Sequence, residues 1–316
     1  MRQNDIHIVK SPLNYIGGKY KLLPQLLPLF PKEINTFVDL FSGGANVGVN
    51  VRAKKVVCND NLVFLIDLYK EMQALTIEEI LNHIYSQINK YELSLTNEKG
   101  YIAIREEYNY NRKPLDLFVL VAYSFNHQIR FNNSHQFNNP FGRQRSQFNQ
   151  SMKQNLVDFV SFLHSKDITF TCKDFDRWDF SLLGKDDFVY LDPPYLITTG
   201  TYNDGKRGFT GWSEQEEIKL LRLLDYLSSR GIRFALSNVL EHKGKTNFLL
   251  EQWARSNQYN IVYLDKDYSN SNYHTLNRDK KSSTEVLITN YTSVQDMSKK
   301  SSLQFSIFDS AAYISV

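Results

Sequence analysis

Asp192-Pro193-Pro194-Tyr195 follows directly on the apolar run Phe188 to Leu191. A double proline cannot continue a strand ladder, and it stiffens the chain at a strand's carboxyl end, where ligands bind in open α/β sheets. It holds an acid and an aromatic side chain rigidly at a cleft. The Asp192 carboxylate and the Pro193 carbonyl are two acceptors suited to the two hydrogens of an exocyclic amine. An aromatic amine is a poor nucleophile because its lone pair is delocalised into the ring. Holding both hydrogens favours a pyramidal nitrogen whose lone pair faces a methyl donor, with Tyr195 stacked on the base. Positioning of this kind contributes roughly 7 to 11 kcal/mol in favourable cases, and it needs no metal. The plainer alternative is a rigid turn whose aspartate caps a neighbouring segment.

Two further segments could serve the same cleft. Asp39-Leu40-Phe41-Ser42-Gly43-Gly44-Ala45-Asn46-Val47-Gly48 is a glycine-rich turn between an apolar run and a helix-like segment, which lets backbone approach a cofactor closely. It departs from G-x-G-x-x-G because Ala45 stands where the second glycine would be. Asp60, at the end of the next apolar run, is the acid expected to bind ribose hydroxyls, a placement that names a nucleoside and leaves the reaction open. Upstream, Tyr15-Ile16-Gly17-Gly18-Lys19-Tyr20 invites a phosphate-loop reading, but G-x-x-x-x-G-K-[ST] fails because Tyr20 follows the lysine and position 13 is leucine. Tyr15 and Lys19 bracketing Gly17 and Gly18 are placed instead to close over the amino-acid end of a cofactor.

These residues need a sheet beneath them. Thr36 to Leu40, Lys55 to Cys58, Ile168 to Cys172, Phe188 to Leu191 and Arg233 to Leu236 read as buried strands. Strands near Tyr259 to Leu264 and Glu285 to Tyr291 read as a hairpin around a polar loop, Asn270 to Lys281. Helices are expected at Ala45 to Arg52, Leu62 to Met72, Ser213 to Arg230 and Lys245 to Ser256, giving the rhythm of a doubly wound α/β sheet. Between Thr76 and His164 the rhythm changes to helices at Thr76 to Lys90, Tyr101 to Glu107, Pro114 to Phe125 and Lys153 to His164. That stretch is a helical insertion.

Composition narrows the setting. With 316 residues, 42% hydrophobic and 22% charged, the chain supports a sizeable core and is too apolar for wholesale disorder. No run approaches the ~20 apolar residues of a membrane span, and Met1 to Lys10 lacks the apolar core of a signal peptide, so a cytoplasmic protein with no membrane partner is expected. The two cysteines, Cys58 and Cys172, read as buried reduced thiols, and the seven histidines show no zinc spacing. A net charge of +3 gives no strongly basic body, so charge distribution must carry any affinity for nucleic acid. From Asn126 to Asn155 there is no Asp or Glu, while Arg130, Arg143, Arg145 and Lys153 are present.

Taken in this order, the segments resemble the Dam-type (D12 class, alpha group) adenine-N6 DNA methyltransferases. N-Y-I-G-G-K-Y at 14 to 20 resembles the family's N-terminal cofactor motif, with Tyr15 where the family often has tryptophan. D-L-F-S-G-G at 39 to 44 resembles its glycine motif, with Asp39, Phe41 and Gly43 at the cofactor, and N-D-N at 59 to 61 its ribose-binding acid, with Asp60 and Asn61. Asp174-Phe175 resembles the pair beside the cofactor adenine, and D-P-P-Y at 192 to 195 resembles the family's catalytic motif, with Asp192 also at the cofactor. Phe125-Asn126-His127-Gln128-Ile129-Arg130-Phe131-Asn132 and Phe137-Asn138-Asn139-Pro140-Phe141-Gly142 resemble the family's recognition segments, although His127 and Gln128 replace the usual glycine and its neighbour.

The resemblance implies a Rossmann-like methyltransferase sheet with a terminal β-hairpin and an inserted helical target-recognition subdomain. It implies S-adenosyl-L-methionine as cofactor, double-stranded DNA as partner and a cognate restriction endonuclease acting separately. The catalytic domain would comprise 1–75 and 166–292, the recognition subdomain 76–165, and the tail 293–316 has no assigned role. By the likeness Arg130 would read a guanine edge, Phe125 or Asn126 would fill the space left by an extruded adenine, and Asn132 belongs to the same DNA-binding set. Arg143, Arg145 and Lys153 would hold phosphates, and the loop Asn270 to Lys281 could also touch DNA. An RNA or protein-amide methyltransferase is the nearest rival, but such folds place the proline motif much sooner after the glycine loop than this insertion allows. A nicotinamide oxidoreductase leaves Asp192 to Tyr195 unexplained, and a DNA-binding module without catalysis would not need Asp192.

Overall fold

Short apolar runs buried on both faces form the centre of the molecule. The computed structural model describes residues 8–198, 212–264 and 283–292; the loop 270–281, the N-terminal residues 1–7 and the tail 293–316 lie outside the described residues. Strands β1 (Thr36–Asp39), β2 (Lys55–Asn59), β3 (Ile168–Thr171), β4 (Phe188–Leu191) and β5 (Arg233–His242) pair in parallel in the order β3-β2-β1-β4-β5. The short β6 (Lys245–Thr246) folds back on the end of β5, and β7 (Asn260–Leu264) and β8 (Ser283–Thr289) complete the sheet as the expected antiparallel pair, with β8 against β5.

Strand periodicity divides the core in two. Phe37, Val56, Phe170 and Phe188 face one apolar cluster, while Val38, Val57, Val189 and Phe234 face another. The first cluster is covered by α1 (Leu23–Leu26), α2 (Asn46–Asn50) and α3 (Val63–Ala74), and by the inserted helices α4 (Ile77–Lys90), α5 (Glu98–Asn111), α6 (Pro114–Tyr123) and α7 (Gln150–Ser165). The second is covered by α8 (Glu214–Ser229) and α9 (Phe248–Ser256). This is a doubly wound α/β architecture. No helix among the described residues is long and apolar enough to cross a membrane.

The insertion folds for legible local reasons. Thr76 and Glu79 close a capping box at α4, Asn97 caps α5 by accepting from the Gly100 amide, Pro114 opens α6, and Asn149 caps α7 through the Met152 amide. Helix α6 is buried from Leu115 through Tyr123, and its apolar residues share one cluster with those of α3 and the sheet. The insertion therefore stands on the sheet's own core.

Four expectations shift. The helix expected from Lys245 begins at Phe248, because Lys245 and Thr246 pair with β5 and Asn247 caps the helix. Helix α5 extends beyond 101–107 to 98–111 because Asn97 starts it a turn earlier. Strand β5 continues from Leu236 to His242, held by β8. Cys58 is buried as expected, but Cys172 is exposed, since β3 ends at Thr171 and Cys172 lies just beyond it.

Gly48 tests how closely α2 sits on the sheet. A Cβ there would fall inside the contact radius of Cys58 Sγ on β2 and 3.3 Å from Asp39 Oδ2. Gly48→Ala is expected to destabilise the fold by about 1–3 kcal/mol through overpacking, read as a lower urea midpoint at unchanged slope. Adding Cys58→Ala should recover part of the loss.

Candidate active site

The order β3-β2-β1-β4-β5 reverses direction between β1 and β4, so the connections leaving their carboxyl ends pass to opposite faces and a crevice opens between them. A cleft of about 820 Å³ lies there. The glycine loop, the segment from Tyr15 to Lys19, Asp60 with Asn61, Asp174 with Phe175, and Asp192 to Tyr195 all line it.

The loop after β1 is held by carboxylates. Asp39 Oδ2 accepts from the Gly48 amide at 3.0 Å, and Asp60 accepts from the Gly43 amide at 2.9 Å and from the Leu62 amide at 3.0 Å. Tyr69 donates to the Gly43 carbonyl at 2.8 Å. Gly43 has φ +45°, and a Cβ on it would meet the Tyr15 ring at 2.8 Å. Ala45 takes φ 55° and ψ 19°, so the residue in place of the motif's second glycine adopts the conformation that favours glycine. Ser42 Oγ, which the sequence did not single out, is buried in the cleft wall without a hydrogen-bond partner among the described residues.

The N-terminal segment reaches the cleft as a strap. Asn50 binds both the amide and the carbonyl of Val9, at 2.8 and 2.7 Å, and Asn46 Oδ1 accepts from the Ser11 amide at 3.0 Å. These bonds lay Tyr15, Gly17, Gly18 and Lys19 over the glycine loop. Lys19 Nζ then contacts the Gly17 carbonyl at 3.0 Å, Tyr195 OH at 2.7 Å and Asp192 Oδ2 at 2.7 Å. Tyr195 OH in turn donates to Asp192 Oδ1 at 2.8 Å. Both oxygens of Asp192 are thus engaged. Burial pushes its carboxyl above the usual range, opposed by the Lys19 ammonium and the Tyr195 hydroxyl. Pro193 is buried beneath this group and Pro194 is exposed at the rim.

Aromatic side chains form one wall. Phe41 and Phe175 lie 5.4 Å apart between ring centroids, and Trp212 packs at 5.9 Å from Phe41 and 5.6 Å from Phe175. Trp212 was not legible as a site residue, since a tryptophan before a helix cap reads as ordinary packing. Asn61 and Asp174 approach to 3.5 Å at the exposed edge.

Of the residues expected at DNA, Arg130 lines the cleft and the others lie outside it. Phe125 is exposed under the Arg145 guanidinium, 4.9 Å from its ring. Asn126 has φ 56°, and its carbonyl accepts from Asn14 Nδ2 at 3.0 Å, which joins this loop to the strap. Asn132 Oδ1 accepts from the amides of Ser134 and Gln136 and so closes its own turn, while Arg143 pairs with Glu98 at 2.5 Å. Lys153 lies 5.5 Å over the Tyr85 ring. Three buried polar atoms of this loop, His127 Nδ1, Arg130 Nε and Asn138 Oδ1, have no hydrogen-bond partner among the described residues.

Burial pushes the Asp39 carboxyl up to about 8, reinforced by Asp192 and Asp60 and opposed by the Gly48 amide and Lys19. The folded state therefore keeps a proton that the unfolded chain releases near pH 4. The stability this contributes is complete below about pH 4 and is lost as pH rises towards 8. Asp39→Asn should flatten the fall in stability across that window by up to about 1.4 kcal/mol per pH unit, measured by denaturant unfolding over a pH series. A slope equal to that of the unmodified chain would refute a protonated Asp39.

The profile of the D12 class N6 adenine-specific DNA methyltransferases matches residues 15–270. The chain is 57% identical over 283 residues to modification methylase StsI of Streptococcus sanguinis, covering 90% of this chain and 43% of that protein. It is 53% identical over 284 residues to Type II methyltransferase M.FokI of Planomicrobium okeanokoites, again 90% of this chain and 43% of that one. The chain thus spans less than half the length of these two relatives. With Type II methyltransferase M1.LlaDCHI of Lactococcus lactis subsp. cremoris it shares 27% identity over 92% of its own length and 98% of that protein's. A match from the strap through the proline motif and beyond makes this chain a member of the D12 class N6 adenine-specific DNA methyltransferase family.

Proposed function

We propose that the chain transfers a methyl group from S-adenosyl-L-methionine to the N6 of adenine within a short sequence of double-stranded DNA. The observation that carries this reading is the meeting of Asp192 and the glycine loop in one cleft, across the β1–β4 crevice. The family supplies the class of chemistry, a methyl transfer to adenine in DNA.

The residues fit the donor on their own chemistry. The orphaned Ser42 hydroxyl offers a polar contact, Gly17 faces open space, and the aromatic wall suits a purine. Asp60 and Asn61 would hold the ribose, Phe41, Phe175 and Asp174 the adenine, and Asp39, Tyr15, Gly17, Gly18 and Lys19 the amino-acid end. When bound, the donor supplies a methyl group on a positively charged sulfur.

Asp192 and the Pro193 carbonyl then orient the target amine by accepting its two hydrogens, and Tyr195 presents its ring to the base. In the arrangement described above, Asp192 is covered by Lys19 and Tyr195, so both side chains must yield to the amine. N6 inside a duplex cannot reach this depth, which requires the base to be flipped out. The helical segment 76–165 would carry recognition through Arg130, whose guanidinium Nε lacks a partner among the described residues, with Phe125, Asn126, Asn132, Arg143 and Arg145 on the same loop region. For Asn132 and Arg143 this means exchanging internal bonds for DNA. The relatives' names, modification methylase and Type II methyltransferase, support a place in a restriction-modification system; a cytoplasmic setting and a separate endonuclease belong to the same proposal.

Radiolabelled methyl transfer to unmethylated genomic DNA, followed by sequencing of modified adenines, tests the whole reading. Incorporation at one short motif supports it, and transfer to RNA alone overturns it. Asp192→Ala should lower methyl transfer by about a hundredfold or more while DNA binding is largely retained. Retained activity would refute the role of Asp192.

A further inference from the structure

Glu217 is a fully buried acid that the mechanism above does not use. Its carboxylate accepts from Trp212 Nε1 at 2.6 Å through one oxygen, and from Asn238 Nδ2 and Asn247 Nδ2, both at 3.3 Å, through the other. Among the described residues no ion pair reaches it. A buried carboxylate met only by neutral donors is costly to keep ionised. Burial indeed pushes this carboxyl upward.

The helix start explains why the acid is unexpected there. Ser213 caps α8, so Trp212 precedes the cap and Glu217 stands at the fourth helical position. These are the two positions where a pair of apolar side chains commonly staples a helix start. Here an acid replaces the apolar partner, and its bond fixes the orientation of the indole. That indole is the third ring of the aromatic wall, against Phe41 and Phe175.

We propose that Glu217 is a positioning residue for the methyl donor: its hydrogen bond holds Trp212 as part of the surface on which the donor's adenine lies, although Glu217 itself does not line the cleft. The inference rests on the donor reading given above. It adds Trp212 as a contact for the purine and Glu217 as the group that orients it.

Glu217→Gln separates this role from simple packing. Asn238 Oδ1 already accepts from the Val239 amide, and Asn247 Oδ1 caps α9 through the Leu250 amide, so neither amide can turn its oxygen towards a new donor. A glutamine therefore keeps two bonds by presenting its oxygen to the asparagines, and presents its NH₂ to the indole N–H. The variant preserves shape and the inter-element bonds but releases Trp212.

S-adenosylhomocysteine binding to the full chain, measured by calorimetry beside the melting temperature, decides the matter. Glu217→Gln is expected to weaken binding about five- to tenfold with little change in melting temperature, and Trp212→Ala by about ten- to a hundredfold. In a Trp212→Phe background, which lacks the indole N–H, Glu217→Gln should have no further effect, whereas a purely structural acid would act equally in both backgrounds. Equal binding by the unmodified chain and Glu217→Gln overturns the role of Glu217 while leaving the donor reading intact. Failure of the unmodified chain to bind S-adenosylhomocysteine overturns both.

Discussion

Everything in the cleft depends on the parallel pairing of β1 with β4. The register Phe37 with Phe188, Val38 with Val189 and Asp39 with Tyr190 brings together two segments separated by the whole helical insertion. It is secured by side chains above and below. Phe30, Phe37, Phe188 and Tyr190 form an aromatic group on one face, and Val38, Val189 and Leu191 join the cluster under α8 on the other. Because both strands are buried on both faces, a slip of one residue would exchange the two faces and is strongly disfavoured. Asp39 and Asp192 consequently leave the sheet edge at fixed positions.

That placement concentrates acid in one cleft. Asp39, Asp60 and Asp192 all lie in the cleft, and burial raises the carboxyl of each. Backbone amides answer two of them, and Lys19 answers the third, itself only 6% exposed. The strap that carries Lys19 is fastened to α2 by Asn46 and Asn50, on the helix that the Asp39 carboxyl group holds through Gly48. Loop, strap and the Asp192 carboxyl therefore form one connected electrostatic unit.

The sheet and most of the cleft were legible because their signals are local. Apolar runs read as ending at Leu40, Cys58 and Leu191 fall within one residue of the strand ends at Asp39, Asn59 and Leu191, and the double proline marks a stop at Pro193 that no strand interior tolerates. Two departures from the motifs also become intelligible. Ala45 and His127 replace glycines of the resembling patterns, and both take positive φ, at 55° and 53°. The backbone path is kept at a modest conformational cost, so the substitution disguises the motif without abolishing it. What could not be read were partnerships across distance. Nothing near Trp212 announces that its indole meets Phe41, and nothing near Arg143 announces Glu98.

The insertion shows why such partnerships matter. A loop mounted on a separately folded domain would be free to move relative to the cleft. Here Tyr101 donates to the Asn139 carbonyl, Asn139 donates to the carbonyls of Phe125 and Gln128, and Asn109 both donates to the Phe137 carbonyl and accepts from its amide. Phe131 stacks on Phe64 of α3 at 4.4 Å, one turn from Asp60, and Asn14 of the strap holds the Asn126 carbonyl. The loop that carries Arg130 is therefore anchored on one side to the helix that follows Asp60 and on the other to the strap that carries Lys19. Since α6 shares its apolar cluster with the sheet, these anchors stand on the same rigid base as β1 and β4, and a shift of the loop must strain the cleft it borders.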